Sequence, residues 1–277
     1  ETVDTLGNQK KMNYALRADM TRDEFIREVT EGLLPPPKYF PANVKLNREG
    51  YEDLEEVLER GTQALSPDAF EAAANETGAV VLDVRHQDDF VKGHIPRSIF
   101  IGLKGDFAPW VGALIADVKQ PILLVTPEGK EEETVTRLSR VGFDNTLGYL
   151  EGGYENWLAS GKETDSLKSE TPEAISEILA QKESPVFDVR KESEFTAEHL
   201  ENALSTPLSA LNDHLAEFPS DKTFYVHCAG GYRSVIAASI LKSRGIHNLV
   251  DIAGGFTAMK KSGLTTTNFV CPSTKQS

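Results

Sequence analysis

Short apolar runs that alternate with longer amphipathic stretches dominate the chain from about residue 61 onward. The runs at residues 122–125 and 224–226 are the clearest, and each is followed by a loop and then by a segment with helical spacing. Apolar strands in alternation with helices predict an α/β fold, with a parallel sheet covered by helices on both faces. In such a sheet, functional sites form where strands end and helices begin.

This pattern occurs twice, at a constant offset. Residues that lie 105 positions apart match at several landmarks: Ser66-Pro67 and Thr171-Pro172, Asp83-Val84-Arg85 and Asp188-Val189-Arg190, Phe90 and Phe195, His94 and His199, Leu103 and Leu208. A fixed offset through separate landmarks predicts two copies of one domain of about 100 residues, far longer than a solenoid repeat. We place the first copy at residues 61–164 and the second at residues 168–266.

Each copy is predicted to have the same order of elements. A capped helix leads into a buried strand that ends in Asp-Val-Arg, and a polar helix runs from there to the histidine. A short strand, a helix, an apolar strand and another helix follow, before a strand into a Gly-Gly-aromatic turn and a last helix. In the second copy, the helix after the apolar strand is predicted from Val235 to Arg244, with Gly245 just beyond its end.

The flanking segments do not look like complete domains. Residues 1–60 are predicted to form an extended and partly helical arm, in which residues 21–24 cap a short helix that runs through Val29. Consecutive prolines at residues 35–37 predict extended chain, and residues 39–50 are expected to lie along the surface. Residues 267–277 form a polar tail.

The charge balance restricts the partners of the chain. Acidic residues outnumber basic ones by 43 to 29, which gives a formal net charge of -14 and argues against binding to nucleic acid or to anionic membranes. No apolar run approaches the length of a membrane span, and the polar start of the sequence does not resemble a signal peptide. Two cysteines, Cys228 and Cys271, do not make a disulfide framework, so we expect a cytoplasmic protein.

The candidate chemistry lies at Cys228, between an apolar strand and a predicted helix. The thiolate is the reactive form of cysteine, and a helix N-terminus with a nearby cation lowers the pKa of a thiol. Glycine backbones can form an anion-binding nest. We predict a catalytic Cys228 and a substrate-binding loop made of the residues that follow it: Ala229, Gly230, Gly231, Tyr232, Arg233 and Ser234. The alternative is an inert cysteine that packs as a small hydrophobe.

Other polar residues are predicted to have structural roles. The Asp-Val-Arg segments and the histidines His94 and His199 recur in both copies, which favours ion pairs and hydrogen bonds within the fold. His227 precedes Cys228 in a strand and therefore points to the opposite face, so packing is the favoured role, with tuning of the thiol as the alternative. The histidines show no paired metal-ligand spacing, and no metal site is predicted. Cys271 is expected to be exposed and non-catalytic, or else a resolving cysteine.

The two copies differ at the loop after the second apolar strand. When Val125 is set against Val226, Pro127 stands in the place of Cys228, and the loop is about two residues shorter. Glutamates at residues 131–133 then open the next helix, where they favour the helix dipole but would repel an anionic ligand. We therefore predict that the first copy is catalytically inactive and is kept for packing or for binding.

These motifs resemble tandem rhodanese domains over residues 61–264. The resemblance rests on two Asp-Val-Arg segments, a histidine that follows each, the Cys-x4-Arg loop and the Gly-Gly-aromatic turns. It implies that Cys228 takes a sulfur from a donor such as thiosulfate and passes it from a persulfide to a thiol, cyanide or sulfite acceptor. It further implies that residues 229–234 cradle the persulfide, that Arg233 holds the anionic donor, and that Tyr232 lines the mouth.

The N-terminal arm resembles the C-terminal end of a metallo-β-lactamase-fold persulfide dioxygenase. The matching segments are Leu6–Lys11, Asn13–Leu16, Pro35–Pro41 and Leu46–Gly50. In bacterial fusions of this kind, rhodanese domains follow the dioxygenase. The resemblance implies an upstream metallo-β-lactamase-like partner domain that carries the iron, and no cofactor within this chain.

Two alternatives to a sulfurtransferase stay open. The first is a phosphatase with a Cys-loop-Arg site. The loops of such phosphatases resemble Cys-x5-Arg, with five residues between the cysteine and the arginine, whereas four residues separate Cys228 from Arg233 here. A non-catalytic binding module would have an unreactive Cys228. The sequence does not identify the sulfur donor or the acceptor. Thiosulfate, glutathione persulfide and polysulfide all remain candidate donors. The sequence is also compatible with a homodimer.

Overall fold

The computed structural model describes residues 3–17, 19–30, 39–181 and 184–270. The prolines at residues 35–37 and Cys271 lie outside these ranges, so the predictions made for them stay predictions. The chain divides between residues 37 and 38 into two compact units. None of the helices within the described residues is long and apolar enough to cross a membrane.

The first unit is a short helical segment. It contains α1 (Leu6–Met12), a 3-10 turn (Tyr14–Leu16) and α2 (Arg22–Thr30). The predicted capping box at the start of α2 is confirmed, because the Thr21 N–H donates to Glu24 at 2.8 Å and the Glu24 N–H donates to the Thr21 hydroxyl at 3.3 Å. No residue of these helices is buried, so this segment has no core of its own.

The second unit begins with two helices, α3 (Phe40–Glu49) and α4 (Leu54–Gly61). The segment predicted to lie along the surface is therefore a helix, with a proline in its first turn and Gly50 after its end. Val57 of α4 is 1% exposed and belongs to the core around the first sheet. The predicted boundary at residue 60 thus falls in the last turn of a helix that packs as part of the first copy.

The first copy contains one parallel sheet in the order β1-β5-β4-β2-β3. Its strands are β1 (Ala64–Leu65), β2 (Val80–Asp83), β3 (Ile99–Phe100), β4 (Ile122–Val125) and β5 (Thr146–Leu150). Its helices are α5 (Pro67–Thr77), α6 (Gln87–Lys92), α7 (Phe107–Leu114), α8 (Glu131–Ser139) and α9 (Gly153–Ala159).

The second copy repeats this topology, with the sheet order β6-β10-β9-β7-β8. Its strands are β6 (Ser169–Glu170), β7 (Val186–Asp188), β8 (Leu204–Ser205), β9 (Phe224–His227) and β10 (Leu249–Ile252). Its helices are α10 (Pro172–Ala180), α11 (Glu192–Ala197), α12 (Tyr232–Ser243) and α13 (Gly255–Met259). The predicted fold of two tandem α/β copies is confirmed.

Three details differ from the sequence-based prediction. Where the first copy has α7, the second has 3-10 turns at Leu208–Asp213 and Leu215–Glu217. The edge strands β1 and β6 were not predicted, because each has two residues and no periodicity to detect. Helix α12 begins at Tyr232, three residues earlier than predicted, and Gly245 follows its end with φ +88° as expected.

A buried ion pair closes the strand end in each copy. The Arg190 guanidinium donates to both carboxylate oxygens of Asp188, at 2.6 Å for Nη2, and also donates to the Glu198 carbonyl at 2.8 Å. It stacks on the Phe256 ring, 4.0 Å from the centroid. Asp83 and Arg85 form the same pair in the first copy. These contacts join the strand end to the Gly-Gly-aromatic turn, as a structural role requires.

The recurring histidines are also structural. His94 Nδ1 donates to the Phe90 carbonyl at 2.9 Å, and its ring stacks on the Phe90 ring. His199 does the same with Phe195, at 2.7 Å. In each copy the aromatic residue and the histidine four positions later therefore close the end of the polar helix.

Helix α12 packs against the edge of the first sheet as well as against its own sheet. The backbone N–H of Phe100 in β3 donates to the Ser239 hydroxyl at 3.0 Å. Lys242 pairs with Asp165 at 2.9 Å. One hydrophobic core contains residues of both copies, so the copies form a continuous body.

A buried acid lies behind the first turn of α12. Asp251 in β10 is 2% exposed and accepts a hydrogen bond from the Ser169 hydroxyl at 2.8 Å. Burial raises the pKa of Asp251 to about 6, against the opposing effect of the hydrogen bond from Ser169. Within the first sheet, Tyr149 occupies the equivalent register position, next to Leu124.

We expect Arg190→Ala to destabilise the protein by about 3–5 kcal/mol, because it leaves the buried Asp188 carboxylate without its partner. Urea denaturation measures the loss. Lys45→Ala is the control, since Lys45 and Glu49 form an exposed pair and its loss changes the free energy of unfolding by less than about 1 kcal/mol. Equal effects of the two variants would contradict a structural role for the strand-end pair.

We expect Asp251 to make stability depend on pH. Because its folded pKa of about 6 lies above the model-compound value of 3.8, its contribution is complete below about pH 4 and is lost as the pH rises through 6. The Asp251→Asn variant does not titrate there. Its free energy of unfolding relative to wild type should therefore rise between pH 4 and pH 7, by up to about 3 kcal/mol.

Urea denaturation across this pH range measures the difference. Asp68→Asn serves as the control, because the Asp68 side chain is 93% exposed. Parallel stability curves for Asp251→Asn and wild type would show that Asp251 ionises as an ordinary carboxyl group.

Candidate active site

Cys228 lies directly after β9 and is 1% exposed. Its carbonyl accepts the Phe256 N–H at 2.7 Å, and the Ala229 carbonyl accepts the Thr257 N–H at 3.0 Å. Gly255, with φ +55°, sits so close to the Cys228 carbonyl that a Cβ atom there would collide with it. The Gly-Gly-Phe turn therefore needs a glycine at this position, and it holds the start of the cysteine loop in place.

The Cys228 sulfur faces the N-terminus of α12. Sγ accepts the Gly231 N–H at 3.1 Å. Gly231 is the N-cap of the 12-residue helix and has φ +104°, a conformation that favours glycine. The partial positive charge of a helix N-terminus stabilises a negative charge on sulfur. The sulfur therefore lies within hydrogen-bond distance of a backbone donor, at the positive end of the dipole of α12.

A cavity of about 420 Å³ opens onto the cysteine. It is lined by Asp106, Trp110, Lys191, Glu194, Cys228, Gly230, Tyr232 and Arg233. Of the predicted loop, the cavity thus gathers Cys228, Gly230, Tyr232 and Arg233, while Gly231 reaches the sulfur through its N–H. Ala229 and Ser234 are not part of the lining, and the Ser234 hydroxyl donates to the Gly231 carbonyl instead.

Four residues of the cavity wall were missed by the sequence-based prediction. Lys191 and Glu194 lie at the N-cap and in the first turn of α11, and their position just after the carboxyl end of a strand was the available signal. Asp106 and Trp110 belong to the first copy. Nothing in their local sequence points to the second copy, because their position depends on how the copies pack.

Arg233 is already paired. Its Nη1 and Nη2 atoms donate to the two carboxylate oxygens of Glu194 at 2.6 and 3.0 Å. These hydrogen bonds raise the pKa of Arg233 and lower the pKa of Glu194. The guanidinium expected to hold a donor is therefore occupied by a carboxylate of the protein itself.

Tyr232 anchors the cysteine loop to the first copy. Its hydroxyl donates to the Gly102 carbonyl at 2.8 Å, and its ring packs on Phe100 and against Gly105. Burial raises the pKa of Tyr232. The side chain lines the cavity as expected, but its polar end is held by the first copy.

His227 contacts the loop backbone. Its Nδ1 lies 3.2 Å from the Cys228 carbonyl, and its Nε2 lies 3.8 Å from the Asp188 carboxylate. Complete burial lowers the pKa of His227, so the ring is neutral at neutral pH. These contacts agree with the packing role that was favoured for it.

The sheet register corrects the predicted match between the two loops. Asp188 pairs with His227, and Asp83 pairs with Val125. Thr126, and not Pro127, therefore occupies the position of Cys228. The error arose because two strands were aligned by their last apolar residue, although the strand of the second copy ends in a histidine.

The loop of the first copy is also not shorter before its helix begins. Four residues separate Thr126 from the first residue of α8, against three between Cys228 and α12. The Thr126 hydroxyl donates to Glu131 at 3.1 Å. A cavity of about 1020 Å³ lies at this loop, and it has a hydroxyl where the second copy has a thiol.

Within the described ranges, no three His, Cys, Asp or Glu side chains come together as a metal site requires.

A family model and several known proteins match parts of this chain. The family model for the rhodanese-like domain matches residues 66–160 and 171–262. Protein slr1261 of Synechocystis is 34% identical over 95 residues, which cover 34% of this chain and 53% of slr1261. The adenylyltransferase and sulfurtransferase uba4 of Ogataea parapolymorpha is 35% identical over 86 residues, or 30% of this chain and 22% of uba4.

A third relative, the thiosulfate sulfurtransferase GlpE of Coxiella burnetii, is 26% identical over 84 residues, which cover 30% of this chain and 78% of GlpE. The chain spans about half or less of the first two relatives. Together, the two family matches cover more than half of the chain. With two matched copies of one fold, the chain belongs to the rhodanese-like domain family.

Proposed function

We propose that this protein is a sulfurtransferase that carries sulfur on Cys228. The observation that carries the proposal is the Cys228 sulfur, which meets the Gly231 N–H at the N-terminus of α12 and faces a cavity. The family and its sulfurtransferase members support the same reaction class. The first copy has the same fold with a threonine at this position, so the thiol is not a requirement of the fold.

The reaction proceeds in two displacements. The Cys228 thiolate attacks the outer sulfur of thiosulfate, the S–S bond breaks, and sulfite leaves with the electron pair. A persulfide on Cys228 results, and the helix N-terminus stabilises its outer sulfur when it carries negative charge. An acceptor thiolate then attacks that sulfur and releases the Cys228 thiolate, with an organic persulfide as product. Cyanide or sulfite can replace the thiol, and a low-molecular-weight persulfide can replace thiosulfate.

A phosphatase reaction fits the site less well. Four residues separate Cys228 from Arg233, one fewer than in the Cys-x5-Arg loops of phosphatases. The shorter loop favours sulfur transfer.

We further propose that the first unit docks on an upstream metallo-β-lactamase-like domain, which would hold the iron. The resemblance of the arm to such proteins supports this. Its helices bury no residue, and they expose large apolar side chains: Leu6, Met12, Tyr14, Phe25 and Ile26. Apolar surface of this kind is typical of a segment that packs against another domain.

Mass spectrometry after exposure to thiosulfate tests the proposed function. We expect the peptide that contains Cys228 to gain one sulfur atom. Cys228→Ser should abolish the gain and reduce thiocyanate formation from thiosulfate and cyanide by at least about a thousandfold. Cys271→Ser is the matched control and should leave both unchanged. A wild-type protein that gains no sulfur at Cys228 would contradict the proposal.

We expect a substitution in the first copy to impair the second. A Cβ atom at Gly105 would collide with the Tyr232 ring, so Gly105→Ala should displace the first turn of α12 and lower kcat/KM by about tenfold, at a stability cost of about 1–3 kcal/mol. Steady-state kinetics and thermal melting measure the two effects. Gly7→Ala is the control, since its Cβ has ordinary contacts. Unchanged kinetics in Gly105→Ala would contradict an anchoring role for Tyr232.

A further inference from the structure

The ion pair between Glu194 and Arg233 lies inside the cavity that leads to Cys228. Both side chains line this cavity. The pair is bidentate, so two parallel N–H groups of the guanidinium are bound by one carboxylate. An anion that binds an arginine in this geometry needs the same two N–H groups. A donor anion and Glu194 therefore compete for one face of Arg233.

Glu194 is held in position by its own helix. The Lys191 N–H donates to the same carboxylate at 3.1 Å, at the start of α11. Glu194 is about one third exposed and Arg233 17% exposed, so the pair is partly shielded from water. A shielded and anchored carboxylate is a stronger competitor than a mobile surface one.

The formal charges along the cavity wall cancel. Asp106 and Glu194 are acidic, and Lys191 and Arg233 are basic. A small dianion such as thiosulfate therefore meets no net positive charge at the entrance. The Arg233 guanidinium, which could bind it, is already paired with Glu194.

We propose that Glu194 is a specificity-determining residue, which occupies Arg233 in the free protein and must be displaced before a donor with anionic oxygens next to its reacting sulfur can bind. This inference rests on the proposed sulfurtransferase function. Its consequence is discrimination against small inorganic anions. A donor that reaches Cys228 without binding Arg233 does not compete with Glu194.

The first copy provides a matched control. Asp89 stands 105 positions before Glu194, in the equivalent helix. In that copy, helix α8 begins with three glutamates, and Asp89 has no arginine of a cysteine loop to bind. Asp89→Asn removes a carboxylate from the same place in the fold without touching the pair.

Steady-state kinetics of Glu194→Gln with thiosulfate tests the proposal. Glutamine has the same shape and can still accept the Lys191 N–H, but it carries no charge. We expect the KM for thiosulfate to fall about tenfold with kcat within about twofold of wild type, because a charged competitor for Arg233 is removed. Asp89→Asn should leave both constants unchanged. A purely structural role for Glu194 predicts the opposite direction, a higher KM with a lower kcat, and would overturn the proposal.

Binding without turnover provides an independent readout. Calorimetric titration of thiosulfate into Cys228→Ser and into Cys228→Ser/Glu194→Gln should give a Kd about tenfold lower for the double variant. Glu194→Asp keeps the charge but shortens the side chain, and we expect its KM to lie between those of wild type and Glu194→Gln. It serves as the second test if the glutamine variant does not fold.

The outcomes separate the two proposals. A wild-type protein that forms no persulfide on Cys228 rejects the sulfurtransferase function. A wild-type protein that forms the persulfide, together with an unchanged or higher KM and Kd in the glutamine variants, rejects only the role of Glu194.

Discussion

The position of Cys228 depends on a buried ion pair that it does not touch. Asp188 fixes the Arg190 guanidinium, which stacks on Phe256, and the Phe256 N–H binds the Cys228 carbonyl. Each contact is short and buried, so each partner has little freedom to move. The strand end, the Gly-Gly-aromatic turn and the cysteine loop therefore form one connected frame.

The first copy has the same frame without the cysteine. Asp83 and Arg85 repeat the pair in the first copy, and Arg85 stacks on Tyr154. Its other polar positions have changed, however. Thr126 replaces the cysteine, Val125 replaces His227, and Tyr149 replaces Asp251. This comparison within one molecule separates the residues that both copies use to build the fold from the polar residues that only the second copy has.

The fold and the centre of the site could be predicted from the sequence because both leave local signals. Strands, helix caps and glycine turns depend on residues that are close in the sequence, and the same signals occur in both copies. The register error at Thr126 arose because a histidine extends β9 beyond its apolar run. The pairing of Glu194 with Arg233, and the contribution of Trp110 to the cavity, follow from tertiary packing between distant segments. No periodicity or spacing in the sequence records such contacts.

The packing of α12 gives the first copy a structural role. Every residue of this helix from Ser234 to Leu241 is buried, so the helix has no face that water can cover. Its own sheet covers one side, and β3 of the first copy covers another through the Phe100 N–H and the Ser239 hydroxyl. Without the first copy, an apolar helix whose N-terminus carries the cysteine loop would be exposed to solvent. The first copy thus has a structural role that requires the fold and not the thiol.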